Sequence, residues 1–325
     1  MTNRLRQTLP FFIALAIVVA LPLVTRSSYH LSMAVFIALH AMVAVGLGLL
    51  LGYTGQVSLG HAAFYGLGAY GSAMLTLHLS WNPWLALVVS AAVTGLIAYL
   101  VGRPTLKLHG HYLAMATLGF GIIVKIVFNQ AAGITGGPSG LPGLSDLHLG
   151  PIALDNDLRM YCFVWPLLLL QLLLSRNLLE SRLGRALRAI HDSEIAARSC
   201  AVDTARAKVM VFVLSGVFAS VAGSLYAHYV NFVNPDPFGF PFSIELVLMV
   251  IVGGAATVWG PVIGAAVLTI ISQLLANIGQ HYPLVKDLDV VIFGLILVLM
   301  LLFQPQGLAR LSTWSFRRKG ASQDA

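Results

Sequence analysis

Long apolar stretches separated by short polar segments run through almost the whole chain. A helix needs about twenty apolar residues to cross the hydrocarbon core of a bilayer, and runs of that kind recur along the sequence. They lie near 9–25, 29–51, 61–79, 83–102, 112–130, 160–175, 209–231, 243–259, 261–278 and 288–303. The pattern predicts an all-α polytopic membrane protein with ten transmembrane helices, several of them short or interrupted by glycine.

Composition excludes a soluble globular protein, because 58% of the 325 residues are hydrophobic and only 10% are charged. Arg4 and Arg6 precede the first apolar run, as they would in a signal peptide. The segment that follows this run, Thr25-Arg26-Ser27, is not a small-residue cleavage site. We therefore expect the first run to be retained as a transmembrane helix.

The Lys and Arg residues are distributed unevenly between alternate polar segments. With the N-terminus in the cytoplasm, fifteen of the 19 lie in inner segments, three lie in outer segments and Lys125 lies within a span. By the positive-inside rule this predicts a multi-pass protein of the inner membrane with both termini cytoplasmic. Residues 1–325 then form one transmembrane domain with an external loop at 131–159, a cytoplasmic loop at 176–208 and a cytoplasmic tail at 304–325.

The remaining charge and side-chain chemistry narrows the function classes. The net charge is +7, but the basic residues flank apolar runs, so we predict no nucleic-acid partner. Cys162 and Cys200 fall on opposite sides of the predicted membrane, which rules out a disulfide between them. No residue with metal-ligand spacing lies beside His61, and we predict neither a metal nor a cofactor.

The stretch GYTGQVSLGHAAFYGLGAY, residues 52–70, combines several glycines with a Gln, a Ser and a His inside an apolar region. Non-helical backbone at membrane depth is tolerated where protein buries it or where it lines a cavity. We therefore expect a tight break between two helices over 52–56. Polar side chains there either border a translocation path or satisfy the backbone groups that a break exposes. The candidates for path or packing are Gly52, Gly55, Gln56, Ser58, His61 and Gly66, together with Glu245 in the eighth apolar run.

The charged segment 176–208 has the pattern of amphipathic helices rather than of a linker. The apolar residues that share its first helical face are Leu183, Leu187 and Ile190. A second, shorter stripe begins at Ile195, and Asp192 or Ser193 precedes it as a candidate cap for a helix over 194–200. A short helix of this kind either docks in a groove of a soluble partner or rests on lipid headgroups.

Four segments in order resemble the LivM-type permeases, the membrane subunits of branched-chain amino acid ABC importers. They are GYTGQVSLGHAAFYGLGAY, GITGGPSGL, AIHDSEIAARSCAVDTARAKVMVFVLSGVFASVAGSLYA and SIELVLMVIVGGAATVWGPVIGA. The resemblance implies a permease for branched-chain or related amino acids, with amides, urea or aromatic acids as alternative cargoes. It also implies a LivH-like second permease, two cytoplasmic ATPase subunits and an external solute-binding protein as partners.

The resemblance further implies that Glu194, Ala196 and Ala197 belong to a short cytoplasmic helix that contacts the ATPases. The neighbouring residues that complete this predicted coupling site are Asp192, Ile195 and Arg198. We expect a charged residue in place of Ala197 to uncouple ATP hydrolysis from uptake, and truncation of a rim-exposed Glu194 to do less. The sequence departs from the family at Ala201 and Ala256, where glycine is usual. Because alanine disfavours left-handed angles, we expect a straighter loop after the short helix.

Two alternative hypotheses for the function fit the sequence less well. An ion-coupled secondary transporter needs embedded carboxylates, and the candidates here are only Glu245, Asp287 and Asp289. The GPSG segment at 137–140 resembles the serine motif of intramembrane proteases, but an acidic loop follows it instead of an apolar span. The sequence contains no Gly-x-x-x-x-Gly-Lys-Ser/Thr phosphate loop. We therefore expect ATP hydrolysis to belong to another chain, and this chain to be a transport subunit and not an enzyme.

Overall fold

The computed structural model describes residues 27–281, with gaps at 109 and 150–151, and isolated positions at 22, 294–295, 298–300, 302 and 307–308. Most of the described chain is helical. The helices are α1 (Ser28–Thr54), α2 (His61–Leu79), α3 (Pro83–Thr105), α4 (His111–Gln130), α5 (Ala132–Thr135), α6 (Asp157–Glu180), α7 (Arg182–Asp192), α8 (Glu194–Ser199), α9 (Thr204–Val230), α10 (Phe240–Gly253) and α11 (Gly260–His281). Single 3-10 turns occupy Gly137–Ser139 and Asp236–Phe238.

Four two-residue strands complete the described elements. They are β1 (Leu141–Pro142), β2 (His148–Leu149), β3 (Ile152–Ala153) and β4 (Phe232–Val233). β1 pairs with β4 and β2 pairs with β3, both antiparallel. The β1–β4 pair ties the predicted external loop to the segment that follows α9.

Six of the described helices are long and apolar enough to cross a membrane, which establishes a polytopic membrane protein. These are α1, α3, α4, α6, α9 and α11. The glycine-rich α2 and the 14-residue α10 also coincide with predicted spans. The spans predicted near 9–25 and 288–303 lie outside the described residues apart from isolated positions, so the count of ten helices stays a prediction.

Helix α1 lies at the centre of the packing, where it contacts α6, α9, α10 and α11, and most of its residues are buried. Helix α9 packs against α1, α2 and α3. Glycines allow the close contact between α2 and α9. A Cβ on Gly68 would lie 2.1 Å from the carbonyl oxygen of Ser220, and a Cβ on Gly223 would lie 1.9 Å from the carbonyl oxygen of Tyr65. Small residues at helix crossings of this kind let backbones approach closely in membranes.

The two ends of the helix bundle are distinct. At one end Asp157 accepts hydrogen bonds from Ser28 and from the Tyr229 hydroxyl, the latter at 2.6 Å. These three residues mark the start of α6, the start of α1 and the end of α9. The segments 131–156 and 182–203 therefore lie at opposite ends of the bundle.

Helix α10 is too short to span a bilayer, because 14 residues at 1.5 Å each extend about 21 Å. It begins beside α2 within the bundle: the Ser243 hydroxyl accepts a hydrogen bond from the Ala62 amide at 3.3 Å. Phe238, just before α10, packs against Tyr65 and Tyr70 of α2. The chain between α9 and α10 therefore folds back into the bundle before α10 starts.

Candidate functional site

The glycine-rich stretch contains a break, but the break lies slightly later than predicted. Helix α1 continues through Gly52 and Tyr53 to Thr54, and α2 begins at His61. The non-helical residues are 55–60 instead of 52–56. Gly55 ends α1 in the left-handed conformation, with φ of 68°, which is the usual role of glycine at a helix C-terminus.

The polar side chains of the break bind other parts of the same chain. The two ring nitrogens of His61 each lie 3.0 Å from a hydroxyl, one on Ser58 and the other on Ser215 of α9. The Leu59 amide donates to the Thr117 hydroxyl of α4 at 3.0 Å. All three hydrogen bonds connect the break to itself or to a neighbouring helix.

Burial favours packing over a translocation path for these residues. Gln56, Ser58, His61 and Gly66 are all buried within the single chain. Their polar atoms therefore face this chain's own interior. Of the predicted candidates in the break itself, only Gly55 is exposed.

Two of the candidate glycines, Gly52 and Gly66, lie where no side chain fits. A Cβ on Gly52 would lie 1.8 Å from the carbonyl oxygen of Ala255, in the turn between α10 and α11. A Cβ on Gly66 would lie 2.8 Å from both Phe128 and Phe238. The segment around Gly52 therefore packs directly on the GGAATVWG segment, and two of the four family-like motifs meet at this end of the bundle.

Glu245 lies in the second turn of α10 and is partly buried. Near the N-terminal end of that helix, Lys125 of α4 lies 4.0 Å from the Asp236 carboxylate. Among the described residues, no group of three His, Cys, Asp or Glu side chains is placed to hold a metal ion.

The predicted amphipathic loop is almost entirely helical. Helix α6 extends into it as far as Glu180, and α7 and α8 follow with only Ser181 and Ser193 between them. The hydroxyl of Ser193 accepts a hydrogen bond from the Ala196 amide at 3.3 Å and caps α8. Of the two predicted caps, Ser193 is therefore the one used. The predicted apolar face of α7 packs on this chain itself: Leu187 and Ile190 are buried in the core and Leu183 is partly buried.

The short helix α8 exposes two residues of the predicted coupling site, Ile195 and Ala196, but buries a third, Ala197. The Ile195 side chain is 81% exposed, and Ala196 is exposed beside it. Ala197 is only 3% exposed and packs within this chain's own core. The expectation that Ala197 faces a partner is therefore wrong, because a six-residue helix shows too few positions for its buried face to be read from sequence.

Glu194 lies at the centre of a compact polar network and not at the exposed rim of α8. One carboxylate oxygen accepts from the Arg198 guanidinium at 2.6 Å and from the Thr204 hydroxyl at 3.2 Å, and the other accepts from the Lys208 ammonium at 2.5 Å. Partial burial alone raises the pKa of the Glu194 carboxyl, but Lys208 and Arg198 outweigh it and hold this pKa below its ordinary value. The carboxylate is therefore ionised at neutral pH.

Lys208 and Thr204 are the site residues that the sequence did not reveal. Both lie on the first two turns of α9: Thr204 follows Glu194 by ten residues and Lys208 follows it by fourteen. The available signal was Lys208 itself, a charged residue at the start of a long apolar run. An embedded charge of this kind normally has a partner.

The alanine at 201 adopts a left-handed conformation, with φ of 60°. The expected straighter loop after the short helix is therefore wrong. The loop turns as it would with glycine, and alanine bears the steric cost of left-handed angles. Ala256 is not among the described residues with positive φ, and its carbonyl accepts a hydrogen bond from the Tyr53 hydroxyl at 3.2 Å.

Six long apolar helices, with the buried helix α1 at their centre and a glycine-rich break between α1 and α2, are those of a polytopic membrane protein. Residues 29–301 match the family described as branched-chain amino acid transport system, permease component. The chain belongs to this family of transport subunits.

Named relatives agree with this assignment. The chain is 30% identical over 330 residues to the high-affinity branched-chain amino acid transport system permease protein LivM of Salmonella typhimurium, covering 94% of this chain and 76% of LivM. It is equally similar to LivM of Escherichia coli K12. The corresponding permease protein LivH of E. coli K12 is 25% identical over 83% of this chain and 90% of LivH. No solved structure matches the chain. Bacterial relatives of this kind and six apolar helices indicate a multi-pass protein of the inner membrane.

Proposed function

We propose that this chain is one of two permease subunits of an ABC importer for branched-chain amino acids. Its partners are a LivH-like second permease, two cytoplasmic ATPase subunits and an external solute-binding protein. The support is similarity to both LivM and LivH, two permease proteins whose names refer to the same transport system. A chain without a phosphate loop receives the work of ATP hydrolysis through contact with another subunit.

We further propose ten transmembrane helices, both termini in the cytoplasm, and α7 and α8 on the cytoplasmic face. The α7–α8 end carries the exposed basic side chains of Arg182, Arg185 and Arg188. The opposite end carries the loop 131–156, which has no Lys or Arg. This charge difference between the two ends fits the positive-inside rule.

The observation that supports coupling between this chain and the ATPase is the exposure of Ile195. Its helix, α8, is anchored on its opposite face to the rest of this chain. At 81%, Ile195 is the most exposed large apolar side chain among the described residues, and it lies outside the six helices that could cross a membrane. The helix beneath it is held by the Ser193 cap, by the buried Ala197 and by Glu194. Ile195 is therefore the central contact of a short helix that docks in a groove of the ATPase.

The remaining residues of the predicted coupling site have supporting roles in this proposal. Asp192 and Ala196 are exposed and border Ile195. Arg198 is 59% exposed, although it also binds Glu194. Glu194 and Ala197 face the chain itself and hold the helix in place.

The test replaces Ile195 with Asp and measures the ATPase that co-purifies with the importer. An apolar anchor at the centre of an interface is worth ~2 kcal/mol or more, which corresponds to roughly a thirtyfold loss of affinity. We expect retained ATPase to fall by about this factor and ATP-driven uptake to fall with it. The matched control is Ile134→Asp, the same substitution at an exposed isoleucine on the opposite end, which leaves ATPase retention unchanged. Unchanged retention in the Ile195 variant would refute the docking role.

The cargo is tested separately on the importer reconstituted with both permeases, the ATPase subunits and the solute-binding protein. Uptake of radiolabelled leucine into vesicles that contain ATP is measured with unlabelled valine, isoleucine, urea or a short aliphatic amide as competitor. We expect valine and isoleucine to compete and urea and the amide not to compete. Uptake that only urea or the amide reduces would assign a different cargo to the same architecture.

A further inference from the structure

The ion pair between Glu194 and Lys208 connects two elements of different kinds. Glu194 begins the short helix α8, and Lys208 lies one turn inside α9, the long helix that packs against α1, α2 and α3. The side chain of Lys208 is only 3% exposed and that of Glu194 is 17% exposed. The pair is therefore largely removed from water.

Both carboxylate oxygens of Glu194 are occupied within this chain. Arg198 and Thr204 bind one oxygen, and Lys208 binds the other. A buried ammonium is costly unless a charge partner and hydrogen bonds compensate it. Lys208 thus requires Glu194 as its charge partner.

Helix α9 continues the connection toward the glycine-rich break. Ser215 lies two turns beyond Lys208 and is 3.0 Å from the imidazole of His61 at the start of α2. A continuous set of contacts therefore runs from α8 through the ion pair into α9, and from α9 into the break. Coupling between distant sites travels through such packed elements and polar contacts.

We propose that Glu194 and Lys208 are positioning residues that fasten the short helix α8 to the transmembrane helix α9, so that displacement of α8 by the ATPase moves α9. This role rests on the proposed docking of α8 to the ATPase. Neither residue touches the transported solute or the nucleotide. Without the pair, α8 still docks through Ile195, but its movement is absorbed by the loop at 200–203.

The test uses the double variant Glu194→Gln/Lys208→Met in the assembled importer. Removing one partner of a buried pair strands a charge, whereas replacing both often preserves stability. We expect the single variant Glu194→Gln to lose thermal stability, and the double variant to recover most of it. In the double variant the ATPases still co-purify, because Ile195 is intact. The amount of leucine imported per ATP hydrolysed falls at least about fivefold, the lower end of typical coupling between two sites.

The matched control removes a different ion pair. Asp155 and Arg159 form an exposed i, i+4 pair with 2.7 Å between the charged atoms, at the opposite end of the bundle. The double variant Asp155→Asn/Arg159→Met keeps the wild-type ratio of import to hydrolysis. A smaller change, Thr204→Val, removes only the bridging hydroxyl and reduces the ratio less than the loss of both charges.

The outcomes separate this inference from the docking proposal. Retained ATPases with an unchanged ratio of import to hydrolysis would overturn the positioning role while leaving the docking of Ile195 intact. Loss of the ATPases from the double variant would also overturn it, because the pair would then belong to the docking surface. Retained ATPases with a reduced ratio support it. If the double variant is too unstable to assemble, an unchanged ratio in Thr204→Val overturns the inference and a reduced ratio supports it.

Discussion

The glycine-rich break and the α7–α8 hairpin lie at the same end of the bundle but are held by different forces. The break is held by close packing: glycines at 52 and 66 leave no room for a side chain, and the His61 imidazole is hydrogen-bonded to the hydroxyls of Ser58 and Ser215. The hairpin is held by charge, through Glu194 and Lys208, and it exposes an apolar residue. The two regions meet where His191 of α7 lies close to Gly55 of the break.

This difference suggests a separate role for each region, one in rigid packing and the other in binding a partner. A close-packed glycine contact transmits displacement without room for adjustment, so the break behaves as part of a rigid body. An anchored short helix with one exposed apolar side chain offers a surface to a partner while keeping its own orientation. The two regions should therefore be sensitive to different substitutions. Larger side chains should disrupt the break, whereas loss of a charge or of the exposed apolar side chain should impair the function of α7 and α8.

The largest expected effect is that of added volume at the break. In Gly52→Leu even the first carbon of the new side chain would lie 1.8 Å from a backbone oxygen of Ala255. Backbone has to move, so the cost exceeds the ~1–3 kcal/mol typical of an overpacked core. We expect loss of folded protein in membranes, measured as yield after detergent extraction and gel filtration.

The control for this prediction is Gly119→Leu in α4. A Cβ on Gly119 has no neighbour within 4 Å, so the same substitution adds volume where space is open. We expect folded protein at close to the wild-type yield. Equal yields of the two leucine variants would mean that close approach at residue 52 is not what the glycine provides.

A smaller effect is expected from His61→Leu, which removes both hydrogen bonds of the imidazole. The hydroxyls of Ser58 and Ser215 are buried, and leaving buried polar groups without partners costs ~1–3 kcal/mol. We expect a lower thermal midpoint in detergent. His78→Leu, near the exposed end of the same helix, changes the midpoint little. A midpoint in the His61 variant that matches wild type would show that the break does not depend on this bridge.

The smallest predicted effect is a gain in stability. Ala201 has a left-handed φ of 60°, which costs a side-chain-bearing residue ~1–2 kcal/mol, partly offset in glycine by the entropy of the unfolded chain. We expect Ala201→Gly to raise the thermal midpoint slightly. Ala256→Gly is the control, because residue 256 lacks the positive φ and gains nothing. A lower midpoint for Ala201→Gly would contradict the strained turn.

The sequence was sufficient to locate the long apolar helices within residues 27–281 and to recognise the family. Predicted span 61–79 coincides with α2, and 83–102 differs from α3 only at its end, because hydrophobicity over twenty residues is a strong signal. It was insufficient for contacts that depend on which way a short helix turns. Ala197 faces inward and Ile195 outward on six residues of helix, and Glu194 pairs with a lysine fourteen residues away. Such contacts are decided by tertiary packing, which periodicity does not report.

The exact start of the break also escaped prediction for a local reason. Glycine at 52 suggested the end of a helix, but the residue serves close packing against Ala255, and the helix ends at Gly55 instead. Glycine has both uses in membrane helices, at C-termini and at crossings. Sequence alone does not separate them when two glycines are three residues apart.

The central claim, that the exposed face of α8 docks on the ATPase, is tested most directly by sided labelling of a single cysteine. Cys162 and Cys200 are both exposed and are first replaced by serine; Ile195→Cys or Ile134→Cys is then introduced into the assembled importer. A membrane-impermeant maleimide is applied from each side, with the ATPases bound or stripped. We expect the cysteine at 195 to react only from the cytoplasmic side and to be protected by bound ATPases, whereas the cysteine at 134 reacts only from outside and is not protected. Labelling at 195 from the external side, or equal labelling with and without the ATPases, would contradict the central claim.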